Sequence, residues 1–72
     1  MKAILRVGSL SNAATAFAEN GIEVVRSYFV NSYYPHVKIR VKSWEDLNLV
    51  VRDINAMKEG ECCILRVKGG RK

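Results

Sequence analysis

The segment HVKIRVK, residues 36–42, alternates apolar side chains with basic or protonatable ones. Its polar positions are His36, Lys38, Arg40 and Lys42, with no Ser, Thr or acidic residue among them. In a half-buried strand, successive side chains point to opposite faces of the sheet. The alternation therefore predicts a strand with a positively charged outer face, and Lys and Arg on such a face can bind phosphate groups.

Two other segments show the same alternation and are predicted to be strands. Residues 2–7 place Lys2 and Arg6 opposite an apolar phase, and residues 61–68 do the same with Arg66 and Lys68. In the latter segment, the apolar phase predicted to face the core is Cys63, Leu65 and Val67. We therefore expect the basic residues of three strands to lie on one face.

Residues 22–30 are rich in branched and aromatic side chains, which is typical of a strand. The sequence leaves the direction of its side chains open, because Arg26 and Tyr28 share a phase with the apolar Ile22 and Val24. A bulge would resolve this conflict. If it does, Arg26 and Tyr28 belong to the basic face. A turn over residues 31–35 would then join this strand to the next one.

Two segments have helical spacing. In residues 8–21, Ser9 or Ser11 can cap the helix and Gly21 can end it. The apolar face predicted for this helix is Leu10, Ala13, Ala14 and Phe17. In residues 43–60, Ser43 and Asp46 resemble a capping box, and Gly60 is expected to end the helix. Its apolar positions are Leu47, Val50, Val51, Ile54 and Met57.

The predicted order is therefore β-α-β-β-α-β, which is typical of the ferredoxin-like α+β fold. Right-handed crossovers place two helices on one face of a four-stranded antiparallel sheet and leave the other face open. We expect a single domain over residues 1–68, followed by a flexible basic tail, residues 69–72. The chain has 72 residues and a net charge of +5, which favours an anionic partner.

The open face is the predicted binding site. Its candidate residues are Arg6, His36, Lys38, Arg40, Lys42, Arg66 and Lys68, joined by Arg26 and Tyr28 if the register of residues 22–30 allows. Tyr28, Tyr33, Tyr34 and His36 cluster near one end and could stack on bases. Alternatively, the charges only keep an open sheet soluble, and the tyrosines only pack across the hairpin.

Other chemistry is not expected from this sequence. It has one His and no phosphate-binding loop, so we do not expect an enzyme. Cys62 and Cys63 are adjacent and no other Cys is present, so neither a disulfide nor a zinc site is expected, and no cofactor is implied. No apolar run is long enough to span a membrane, and the first residues do not read as a signal peptide. We therefore expect a cytoplasmic protein without a membrane partner.

The segment LRVGSL, residues 5–10, resembles the first ribonucleoprotein motif of RNA recognition motif domains. VKIRVKSWEDLNLVVRDIN falls where those domains carry their third strand and second helix. The resemblance implies that Arg6, Lys38 and Arg40 occupy RNA-facing positions. Because these positions are cationic here, it implies contact with the nucleic-acid backbone.

The segments AFAENGIEVV and IRVKSWEDLNLVVRDI are similar to passages of ACT domains, which are small regulatory modules. This resemblance implies a ligand site near GSLSN, residues 8–12, and pairing of edges or faces with a partner. The main hypothesis is a non-enzymatic module that binds RNA or DNA. The alternatives are a regulator or inhibitor that binds an acidic protein surface, an ACT-like module, or a homodimer formed through an edge strand.

Overall fold

The computed structural model describes residues 1–30, 34–58 and 60–69 of the chain. Its elements follow the predicted order β-α-β-β-α-β. The strands are β1 (Lys2–Val7), β2 (Glu23–Val30), β3 (Tyr34–Arg40) and β4 (Cys62–Lys68), and the helices are α1 (Leu10–Glu19) and α2 (Trp44–Ala56). The chain is therefore an α+β protein with two helices and one four-stranded sheet.

The sheet is antiparallel throughout, with the spatial order β2-β3-β1-β4. Directly opposite residues of paired strands point to the same face, so the register separates two faces. On one face, Leu5 and Ile39 are fully buried in the same core cluster as Phe17 of α1 and Leu47 of α2. Both helices therefore pack on this covered face. The opposite face, against which no described helix packs, is called the open face below.

Helix α1 is bounded by the cap residues that the sequence indicates. Ser9 is the N-cap, and its hydroxyl oxygen accepts a hydrogen bond from the backbone N–H of Asn12. After the helix, Gly21 has a φ of 65°, a conformation that glycine adopts at little cost. The N–H of Ile22 then donates to the carbonyl of Phe17 at 2.8 Å. This bond closes a Schellman motif, which directs the chain back toward the sheet as β2.

Helix α2 begins at its predicted cap and then positions the last strand. The hydroxyl of Ser43 accepts a hydrogen bond from the backbone N–H of Asp46 at 3.1 Å. Near the end of the helix, the side-chain amide of Asn55 accepts from the N–H of Cys62 at 2.9 Å and donates to its carbonyl at 3.3 Å. Asn55 therefore fixes where β4 starts.

Two details of the helices differ from the prediction. In α1, Ala16 is buried, whereas Leu10 and Ala14 of the predicted apolar face are exposed. The helix contains several alanines, which offer no contrast in polarity from which to choose the inner face. Helix α2 ends at Ala56 rather than running to Gly60. The N–H of Gly60 instead donates to the carbonyl of Met57 at 2.9 Å, in the turn that follows the helix.

A bulge in β2 resolves the conflict in its sequence. The pairing of β2 with β3 shifts by one residue between Val24 and Arg26, which leaves Val25 without an opposite residue. Val24 lies on the covered face, whereas Arg26 and Tyr28 lie on the open face. The two residues whose placement the sequence left open are therefore part of the basic face.

A second bulge lies in β4 and corrects the predicted direction of its first half. Ile64 lies opposite Leu5 on the covered face, and Arg66 lies opposite Ile4 on the open face, so Leu65 has no opposite residue. Leu65 was predicted to point into the core and is exposed instead. Because residues 62–65 are all apolar, their pattern contains no polar residue that could fix the phase.

The limits of β3 also differ from the prediction. The strand begins at Tyr34 and ends at Arg40, so Pro35 is inside it and Lys42 is outside it. Pro35 lies opposite Phe29 of β2, beyond the last residue that β3 pairs with β1, so its missing N–H costs no bond to β1. Residues 31–33, with Tyr33, and residues 70–72 of the predicted tail lie outside the described residues.

Candidate nucleic-acid interface

The cations of the open face form two neighbouring rows across the four strands. From β2 to β4, the first row is Glu23, Arg40, Lys2 and Lys68, and the second row is Arg26, Lys38, Ile4 and Arg66. Rows of this kind are separated by two residues along a strand, or about 7 Å. The register therefore gathers basic residues that are up to 66 positions apart in the sequence, as Lys2 and Lys68 are, into one patch.

A shallow depression of about 500 Å³ lies within this patch. The cations that line it are Lys2, Lys38, Arg40, Arg66 and Lys68. Ile4 also lines it and is half-buried, between Lys38 on β3 and Arg66 on β4. No acidic residue is among the described residues that line this concavity, which we call the basic depression.

The next row of the open face, called the aromatic row below, contains two aromatic rings, one cation and one thiol. From β2 to β4 it consists of Tyr28, His36, Arg6 and Cys63. The ring centroids of Tyr28 and His36 are 5.6 Å apart with an interplanar angle of 35°. The guanidinium of Arg26 lies 4.8 Å from the centroid of Tyr28, and that of Arg6 lies 5.4 Å from the centroid of Tyr34. The open face therefore has a mainly cationic end and an end where aromatic rings and guanidinium groups lie together.

Several like charges on this face are placed directly opposite one another. Lys2 lies opposite both Arg40 and Lys68, and Arg26 lies opposite Lys38. Like charges in such positions destabilise a sheet, each pair by a few tenths of a kcal/mol or more. The only acid in these rows among the described residues is Glu23, opposite Arg40. Folding alone would not favour this arrangement, whereas a bound anion would offset the repulsion.

The structure places the predicted site residues on the open face with one exception. The residues it brings together are Arg6, Arg26, Tyr28, His36, Lys38, Arg40, Arg66 and Lys68. Lys42 is separate, because β3 ends at Arg40 and the chain turns toward the cap of α2. It lies outside β3 and lines a different depression with Asn20 and Asp46, which Arg40 also lines. Ile4 was not predicted as a site residue, although its alternation with Ala3 and Leu5 indicates an outward position.

The two cysteines point to opposite faces, in the reverse of the predicted assignment. Cys62 is buried on the covered face opposite Val7, and Cys63 is exposed on the open face opposite Arg6. A guanidinium nitrogen of Arg6 lies 3.6 Å from the sulfur of Cys63. Burial, and to a lesser degree the charge of Cys63, raises the pKa of Cys62 from 9.0 to about 11.

We therefore expect iodoacetamide at pH 8 to modify Cys63 and to leave Cys62 almost unreacted in the native protein. The raised pKa lowers the thiolate fraction of Cys62 about 100-fold, and only the thiolate reacts. Mass spectrometry of Cys63→Ser and Cys62→Ser variants measures each rate, and the urea-unfolded chain, in which both thiols react, is the control. Equal rates in the native protein would contradict the register of β4.

The thiol of Cys62 makes the stability of the fold depend on pH. Because the unfolded chain releases the Cys62 proton near pH 9.0 and the folded chain only near pH 11, the free energy of unfolding falls as pH rises through that interval. Below pH 9.0 the Cys62 thiol makes its full contribution to the free energy of unfolding.

Within residues 1–30, 34–58 and 60–69, no group of three or more His, Cys, Asp or Glu side chains could hold a metal ion. Neither described helix has the length and apolar character that a membrane span requires. Compared with known proteins, the chain matches no family model, no curated protein and no solved structure.

Proposed function

We propose that this chain is a small non-enzymatic module that binds nucleic acid with its open sheet face. The observation that carries the proposal is the set of directly opposed like charges centred on Lys2 and on the pair Arg26 and Lys38. Such pairs oppose folding but serve a surface that neutralises phosphates. The cations would contact the backbone, while Tyr28 and His36 offer rings on which bases can stack.

The shape of the face favours a single strand over a duplex. Four strands span about 14 Å across the sheet, and no single strand projects from it as a narrow ridge. A duplex major groove is about 12 Å wide and admits a helix or a two-stranded ribbon, not a sheet of this width. A broad sheet face is better suited to an extended strand whose bases are unpaired and free to stack.

We further propose that the arrangement of elements is ferredoxin-like. The support is the element order together with the strand order β2-β3-β1-β4, in which β3 is inserted between β1 and β2. This is the split βαβ pattern of that fold. It explains how a chain this short exposes one whole face of a four-stranded sheet while both helices cover the other.

The test is a titration of labelled single-stranded RNA, single-stranded DNA and duplex DNA at 50 and 200 mM salt. We expect the single strands to bind with a Kd of roughly 1–100 μM near physiological salt. If three or four phosphates are neutralised, affinity for a single strand should fall roughly 20- to 50-fold between the two salt concentrations. The control for a change in net charge alone is Arg52→Gln, which removes one positive charge from the exposed surface of α2, away from the open face.

Two results would contradict the proposal. One is the absence of binding by every nucleic acid at 50 mM salt. The other is a stoichiometric protein partner that is retained from a lysate after nuclease treatment, when purified nucleic acids do not bind. That second result would favour a regulator that recognises an acidic protein surface, since an acidic surface also complements this patch.

A further inference from the structure

The basic depression concentrates its charge at one end of the open face. Lys2 is near the start of β1, Arg40 ends β3, and Lys68 ends β4. Met1 and Gly69, which also line the depression, lie beyond these residues at the end farthest from the aromatic row. The cations are thus gathered in one concavity rather than spread along the path of a strand.

The positive charge of the basic depression exceeds the negative charge of one phosphate group within a strand. A phosphodiester within a strand carries one negative charge, whereas a terminal phosphate monoester carries between −1.5 and −2 near pH 7. Five cations line the depression, and no described residue that lines it is acidic. Lys2, Lys38 and Arg66 surround the half-buried Ile4, which leaves the concavity open above an apolar base. This charge matches a terminal phosphate, and a triphosphate better than a monophosphate.

The aromatic row lies within reach of a group held in the depression. His36 precedes Lys38 by two residues on β3, a separation of about 7 Å along the strand. Tyr28 is directly opposite His36, and their rings are close to each other. A nucleotide whose phosphates occupy the depression can therefore place its base against Tyr28 and His36.

We propose that the basic depression binds the terminal 5′-phosphate group of a nucleotide, with the base against Tyr28 and His36. The ligand is either the 5′ end of a single strand or a free nucleoside triphosphate, because both present the same chemistry. The first case rests on the proposed function and assigns the end of the strand to this part of the face. The second does not require that a longer strand binds.

The experiment compares oligonucleotides of one sequence that are labelled at the 3′ end and carry a 5′-hydroxyl, 5′-monophosphate or 5′-triphosphate. Fluorescence anisotropy at 150 mM salt measures each Kd, and ATP and inorganic triphosphate serve as competitors. We expect the 5′-triphosphate oligonucleotide to bind at least 10-fold tighter than the 5′-hydroxyl one. Arg66→Gln with Lys68→Gln should abolish the difference, and Arg52→Gln with Lys58→Gln should preserve it.

The possible outcomes separate this inference from the proposed function. Equal affinity for the 5′-hydroxyl and 5′-triphosphate oligonucleotides, with ATP not competing, would overturn the inference and leave single-strand binding intact. Binding of ATP without binding of any oligonucleotide would support the basic depression as a triphosphate site and would overturn the proposed function. If inorganic triphosphate competes as well as ATP, and Tyr28→Ala has no effect on either, the placement of the base is wrong.

Discussion

Replacing Lys38 and Arg40 together by Glu is expected to weaken binding of single-stranded nucleic acid at least about 100-fold at low salt. Each reversal removes a phosphate contact and adds repulsion, and every 1.4 kcal/mol of lost affinity is about tenfold. Both side chains line the basic depression, and each lies directly opposite one residue of β1 and one residue of β2. Anisotropy titration of the variant against the native protein measures the loss.

The control for this variant is Arg52→Glu with Lys58→Glu, which changes the net charge by the same amount. Both residues are exposed and lie on or just after α2, away from the open face. We expect this variant to lose no more than about fivefold in affinity, since only the long-range field of the protein changes. Similar losses in the two variants would show that net charge, not the open face, governs binding. Thermal unfolding of both variants establishes that they are folded.

The second large effect concerns stability, and Phe17→Ala is expected to remove about 3–5 kcal/mol from the free energy of unfolding. Phe17 is only 2% exposed and is the largest fully buried side chain of the described residues. A domain of this size is stable by roughly 4–10 kcal/mol, so the variant should be partly unfolded at 37 °C. Circular dichroism should show a fall in the melting temperature of at least about 12 °C.

The chain contains a matched control for this substitution, because its only other phenylalanine is Phe29 on β2. Phe29 is 60% exposed, at an edge of the sheet that the helices do not cover. Phe29→Ala should therefore cost less than about 1 kcal/mol. A cost equal to that of Phe17→Ala would mean that the edge strand is buried against something in solution.

Much of the fold could be predicted where the sequence contains strong contrasts. The caps Ser9 and Ser43 and the left-handed residue Gly21 are local signals, since each acts on backbone groups within a few positions. The alternation in residues 36–42 fixed the direction of Lys38 and Arg40 because every inner position is apolar and every outer one is basic. These signals sufficed to place most of the candidate site on one face.

The parts that could not be predicted depend on pairing between distant strands. The bulge at Leu65 lies in an apolar run, and either phase of that run would bury two apolar residues. The repulsive pairs of Lys2 with Arg40 and Lys68 follow from a register that no single segment specifies. Likewise, Lys42 continues the alternation in sequence although the strand has ended, because the chain has already turned toward Ser43.

The bulges at Val25 and Leu65 occur in the two outermost strands, β2 and β4. Each divides its strand into two short stretches whose side chains are out of step. A foreign strand that hydrogen-bonds along either border can match only one stretch at a time, which weakens templated growth into fibrils. The two bulges therefore disfavour the pairing of a foreign strand along borders that carry exposed valine, leucine and phenylalanine.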